Sequence, residues 1–173
     1  MKTLRGMTLV ELLVAVTLVT ILLVVGIPSY QGISTANRMA GEMNALISDL
    51  QYARSEAVKQ GQTVTICVSS TGNNCSNSAN WASGWIVFSD ADGSQTVNSG
   101  EPVLRVQPAL GSFDSLQSNS SPTIRAVTFN RNGFSSKAGS ITLNDGASST
   151  DRRKCAVVSS VGYVQLQTGA SCP

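Results

Sequence analysis

The chain has no histidine and little charge: Asp, Glu, Lys and Arg make up 13% of its 173 residues, and aromatics 5%. Histidine is the side chain whose ordinary pKa suits proton transfer near neutral pH, and it is the commonest metal ligand. No Cys-x-x-Cys pair occurs among the four cysteines, so the spacing does not suggest a zinc site. There is no G-x-x-x-x-G-K phosphate loop and no G-x-S-x-G nucleophile elbow. The chain is therefore expected not to be an enzyme, to need no cofactor and to hold no catalytic residues. A strong charge of one sign is also missing. The formal charge is +2, and without residues 1–6, which carry Lys2 and Arg5, 10 basic and 10 acidic side chains remain. That balance argues against a bulk electrostatic nucleic-acid binder.

What the chain does have is a long apolar run. Met7 to Ile27 is 21 residues with one charge, Glu11. As a helix it spans roughly 31 Å, about one hydrocarbon core. The run is longer than the ~7–15 apolar residues of a secretory signal peptide, and no A-x-A-like cut site follows it. Lys2 and Arg5 precede the run, so the positive-inside rule sends residues after 28 outward. A carboxylate at the centre of such a helix costs about 2.5–3.5 kcal/mol on insertion scales, and less near the end. Glu11 is accounted for if this helix packs among others like it and meets a positive partner there.

Pro28 lies inside the pattern and predicts a bend. From about residue 36 to residue 59 a second pattern follows, with apolar residues at Met39, Met43, Leu46, Ile47, Leu50, Ala53, Ala57 and Val58. Steps of three and four give one apolar helix face. Arg38, Glu42, Asp49, Arg54, Glu56 and Lys59 fill much of the rest, and Gly61 is a stop signal. Strand-like runs follow at 62–68, 84–89, 102–106, 123–130, 140–143, 155–159 and 163–167, separated by turn-forming groups. Residues 111–122, rich in Ser, read as a loop. The expected fold is α+β: a long N-terminal helix packed on an antiparallel, β-rich globular head. Its parts are a leader at 1–6, a helix at 7–60 with a transmembrane portion at about 7–27, and a head at 61–173.

Cys67, Cys75, Cys155 and Cys172 all lie in the outward part, where an even count suggests disulfides. Three connectivities are open and the sequence does not choose among them. The sequential one, Cys67–Cys75 and Cys155–Cys172, closes two short loops and is preferred. Between Asp90 and Glu101, acidic and polar residues fall on the ligand positions of a calcium loop, but Gln95 stands where such a loop needs glycine. The segment reads as a solvated hairpin loop, with Asp90, Asp92 and Glu101 as a secondary calcium candidate. Arg152, Arg153 and Lys154 form the basic cluster, either a solvated turn or a contact for DNA phosphates or an acidic neighbour.

Gly6, Met7, Thr8-Leu9-Val10, Glu11, Leu12-Leu13 and Pro28 give the N-terminus a resemblance to type IV prepilins and pseudopilins. The resemblance implies cleavage between Gly6 and Met7 by a prepilin peptidase, with N-methylation of Met7. It also implies that Glu11 pairs with the N-terminus of a neighbouring subunit, making Glu11 and Pro28 assembly residues. The first mature residue is usually Phe in that family, and here it is Met7. In the head, Leu50-Gln51-Tyr52-Ala53-Arg54-Ser55-Glu56-Ala57-Val58 is similar to the GspH/FimT family of minor pilins and pseudopilins. So are Trp85-Ile86-Val87-Phe88 with Asp90-Ala91-Asp92-Gly93, Val103-Leu104-Arg105-Val106, and Phe129-Asn130-Arg131-Asn132-Gly133.

The family implies a minor type IV pilin that helps prime assembly and sits near the tip. Cys155 and Cys172 fit its FimU branch. The implied partners are other minor pilins, the major pilin, the prepilin peptidase and the inner-membrane assembly platform. The implied location is the inner membrane with the head in the periplasm, then the extracellular pilus. The alternatives are a type II secretion pseudopilin and a DNA-binding minor pilin for natural transformation. DNA-receptor relatives carry Gly-Arg-x-Arg where this chain reads Gly162-Tyr163-Val164-Gln165, and the loss of both arginines weakens that reading.

Overall fold

A computed structural model describes residues 7–111, 114–118 and 120–172. The elements in chain order are helix α1 (Leu9–Gln60) and strands β1 (Val64–Val68), β2 (Trp85–Ser89), β3 (Val103–Gln107), β4 (Ser115–Gln117), β5 (Ala126–Phe129), β6 (Gly139–Asn144), β7 (Lys154–Val158) and β8 (Val164–Thr168). Short 3-10 turns at Trp81–Ser83 and Gly169–Ser171 complete the set. The chain divides into two compact units, one ending at Asn37 and the other beginning at Arg38.

The first unit is the apolar part of α1. Thr8 caps it: the Glu11 N–H donates to Thr8 Oγ1 at 3.3 Å. Thr8 and Glu11 have the spacing of a capping box, and a carboxylate in the first turn also suits the positive end of the helix dipole. Thr17 Oγ1 donates to the Val14 carbonyl and Thr20 Oγ1 to the Val16 carbonyl, both at 2.8 Å. Both hydroxyls are thus satisfied within the helix. The helical backbone continues through Pro28.

The second unit is α+β, with every strand pair antiparallel. One sheet has the order β3-β2-β1-β5 and the other β4-β6-β7-β8. Helix residues Met39, Met43, Leu46, Leu50, Ala53 and Ala57 are fully buried in one apolar cluster with side chains of both sheets. Val64, Ile66 and Val68 of β1, with Trp85 and Val87 of β2, join this cluster. Because side chains alternate along a strand, Cys67, Ile86 and Phe88 point to the other face, where Cys75, Val97 and Val103 cover them. That two-sided cover explains why β1 and β2 are buried along their whole length. Gly61 ends the helix with φ +69°, its N–H bonded to the Ala57 carbonyl at 3.0 Å.

Three expectations need correction. The stretch 111–122 is not simply a loop: Ser115–Gln117 forms β4, and Leu116 is fully buried. Burying a leucine contributes about 1.5–3 kcal/mol, which helps dock so short a strand. Val58, placed on the apolar face by its spacing, is 54% exposed near the end of α1. Asp49, placed on the polar face, is buried.

Candidate functional site

The assembly residues named from the sequence fall in the first unit. Gly6 lies outside the described residues. Met7 directly precedes the cap, Glu11 occupies the first turn of α1, and the Pro28 backbone lies within the helix. Every large apolar residue from Met7 to Ile27 is at least 52% exposed. An 18-residue window of this helix has mean hydropathy 2.8, long and apolar enough to cross a membrane. A helix that is apolar on all sides is stable only where lipid or other helices surround it.

In the second unit the cysteines pair in sequence order. Cys67 of β1 is bonded to Cys75, with Cα atoms 5.6 Å apart. Cys155 of β7 is bonded to Cys172, just beyond β8, at 5.7 Å. The first bond holds the loop after β1 against the outer face of its sheet. The second fastens the chain after β8 to β7.

The loop after β2 brings Asp90, Asp92 and Glu101 together, with carboxylate oxygens mutually within 4.8 Å. Asp90 is fully buried. Its Oδ2 accepts from Thr65 Oγ1 at 2.5 Å and from the Gln95 N–H at 3.2 Å. Burial, and then the proximity of Asp92 and Glu101, push the Asp90 carboxyl above the usual carboxylate range. Glu101 accepts from the Ala91 and Asn98 N–H groups, each at 2.9 Å. The Asp92 carboxyl is held below its usual range, first by the Ser94 N–H. Gln95 takes φ +59°, the left-handed conformation that glycine supplies in a calcium loop.

The two arginines of the basic cluster bond within the head. Arg152 Nε donates to Asp145 Oδ2 and Arg153 Nε to Asn144 Oδ1, both at 2.8 Å. The two arginines thereby brace the turn between β6 and β7, while Lys154 begins β7. They are only partly available to a phosphate. Gly162, where the DNA-receptor motif would start, has φ +77°, and a Cβ there would lie 1.8 Å from the Gly133 carbonyl oxygen. Beside it, Gln51, Arg54, Ser55, Val58, Gly162, Tyr163 and Val164 line a cleft of about 490 Å³. Arg54 Nε donates to the Gly133 carbonyl at 3.0 Å.

Sequence reasoning missed the polar contacts that join the helix to the strands. Asp49 accepts from Trp85 Nε1 at 2.9 Å and from Arg105 Nη1 at 2.8 Å, and the Arg105 guanidinium lies 3.7 Å from the centre of the Tyr52 ring. Arg38 forms a two-pronged pair with Asp114, both bonds at 2.9 Å. A carboxylate one helical turn from buried Ala53 and adjoining buried Leu50 carries a signal only once the partner strands are known.

Residues 42–162 match the family model of the type II transport protein GspH. Among curated proteins none matches the chain. Two crystal structures of the type IV minor pilin FimU of Pseudomonas aeruginosa are similar to it. One shows 20% identity and a TM-score of 0.63, covering 82% of this chain and 96% of that one. The other shows 24% identity and a TM-score of 0.54, covering 78% and 94%. The chain belongs to the GspH family and has the fold of a type IV minor pilin.

Proposed function

We propose that this protein is a minor pilin, a structural subunit that helps prime type IV pilus assembly and sits near the pilus tip. The observation that carries this reading is Glu11, the one charge in an otherwise apolar, exposed segment from Met7 to Ile27. A lone carboxylate there favours an arrangement in which a neighbouring subunit's amino group neutralises it. That rewards one axial register during assembly.

In this reading a prepilin peptidase cuts between Gly6 and Met7, and Met7 is methylated. The helix anchors the prepilin in the inner membrane with its head in the periplasm, and the subunit then enters the extracellular pilus. The assembly platform, the major pilin and other minor pilins are its partners. The disulfides suit an oxidising compartment. A second reading, a pseudopilin of type II secretion, is favoured by the description of the matched family. A DNA-receptor role has weaker support, because Arg152 and Arg153 are bonded within the head.

The deciding experiment is a deletion strain, complemented with the wild-type chain or with Glu11→Ala. Loss of surface pili, restored by wild type but not by Glu11→Ala, supports the minor-pilin reading. Normal pili with a secretion defect transfers the protein to the secretion machine. Normal pili and secretion with lost DNA uptake favours the receptor role.

A further inference from the structure

The loop after β2 gathers three acidic side chains that form no ion pair among the described residues. Asp90, Asp92 and Glu101 hold carboxylate oxygens within 4.8 Å of one another. Among the described residues, no ion pair involves any of the three: the four basic partners in the head serve Asp114, Glu56, Asp49 and Asp145. Like charges this close repel, and hydrogen bonds from neutral donors do not cancel the net charge.

A second observation is independent of that clustering. Asp90 is fully buried, and its Oδ1 is shielded from solvent with no hydrogen-bond partner. Its other oxygen is occupied by Thr65 and Gln95. A buried carboxylate oxygen left without a donor is costly, and a bound cation is one of the few things that removes the cost. The remaining ligands have capacity to spare. Each Glu101 oxygen accepts one backbone N–H, which leaves it a second lone pair. Asp92 is exposed at the mouth of the loop and gives an ion a way in.

We propose that Asp90, Asp92 and Glu101 form a binding site for one calcium ion, which holds the loop after β2 against the outer face of the β3-β2-β1-β5 sheet. Calcium suits the site better than magnesium. It accepts irregular arrays of carboxylates completed by water, whereas magnesium demands near-octahedral geometry. Extracellular calcium modules bind with a Kd of about 10⁻⁴–10⁻³ M, and the same range is expected here.

The test uses the full chain in non-ionic detergent, stripped with chelator and titrated at neutral pH with calcium chloride or magnesium chloride. Heat of binding and thermal unfolding are read in parallel. Asp92→Asn and Glu101→Gln are the informative variants, because Asp90→Asn alters a buried position and can impair folding. The expected result is one calcium per chain, at least about tenfold tighter than magnesium. In about 5 mM calcium the Tm should rise by roughly 3–6 °C, and both variants should weaken binding about tenfold or more. The absence of saturable calcium binding up to about 10 mM overturns the proposal, as does binding that both variants leave unchanged. If Asp92→Asn raises the Tm of a protein that does not bind calcium, the carboxylates share a proton instead, and the site is not a metal site.

Discussion

The Trp85 indole N–H donates to Asp49 Oδ2 at 2.9 Å, joining a buried helix carboxylate to a buried strand indole. Arg105 reaches the other Asp49 oxygen from β3. Asp49→Ala removes both bonds and leaves the Trp85 N–H buried without an acceptor. The expected loss is about 1–3 kcal/mol, seen as a lower urea midpoint with an unchanged slope. Arg105→Ala should cost less, about 0.5–1 kcal/mol, because the Arg105 side chain is 44% exposed and Asp49 keeps its bond to Trp85.

Two glycines with similar φ should respond differently to alanine. Gly61 has φ +69° with nothing within 4 Å of an added Cβ. Gly61→Ala should cost only the left-handed backbone penalty, about 1–2 kcal/mol. Gly162 has φ +77°, and its added Cβ would lie 1.8 Å from the Gly133 carbonyl oxygen. Gly162→Ala must also force the 133 and 162 turns apart, so it should be clearly the worse of the two in thermal unfolding. Equal losses would mean that the two turns separate freely.

Each disulfide should be worth about 2–3 kcal/mol, through the loop it closes in the unfolded chain. The Cys155–Cys172 loop, with a sequence separation of 17, should contribute slightly more than the Cys67–Cys75 loop, with a separation of 8. Paired serine variants, Cys155→Ser with Cys172→Ser and Cys67→Ser with Cys75→Ser, measure this by denaturant midpoint. Mass shifts under alkylation, with and without reductant, check the pairing itself.

Asp145 should set part of the acid limit of the fold. The Ser149 N–H at 2.8 Å, and after it the Arg152 guanidinium, hold its carboxyl below the usual carboxylate range. A carboxyl with a lowered folded pKa contributes stability that is fully present above its unfolded value of about 3.9. That contribution is lost as the pH falls through the lower folded value. Asp145→Asn should therefore be less stable than wild type at neutral pH. The gap in Tm should narrow below about pH 4. A gap that stays constant with pH would show that the Asp145 charge does not contribute.

Periodicity made much of this architecture legible. The spacing from Met39 to Ala57 marks the helix face that the structure buries, and Gly61 marks its end. The dense run at Trp85–Ser89 reads as a buried strand. The division into two sheets was not legible, because register and strand order depend on contacts distant in sequence. Strand β4 hides in a Ser-rich stretch because Leu116 is its one apolar side chain. Asp49 escaped for a related reason: a charge on a helix is ordinarily solvated, and only Trp85 and Arg105, 36 and 56 residues away, make it a buried one. The Asp90–Glu101 cluster was visible as spacing, but the unpartnered oxygen of Asp90 required the fold.

The bond between Cys155 and Cys172 also changes how the head bears mechanical load. Tension applied to the chain beyond Cys172 passes directly into β7, the interior neighbour of both β6 and β8. The edge strand β8 sits inside the closed ring and cannot be unzipped residue by residue from that end. Roughly 58 Å of extensible chain is shorted out, taking about 3.4 Å for each of the 17 residues spanned. Load from that end therefore meets a strand held by ladders on both sides instead of an edge strand held by one.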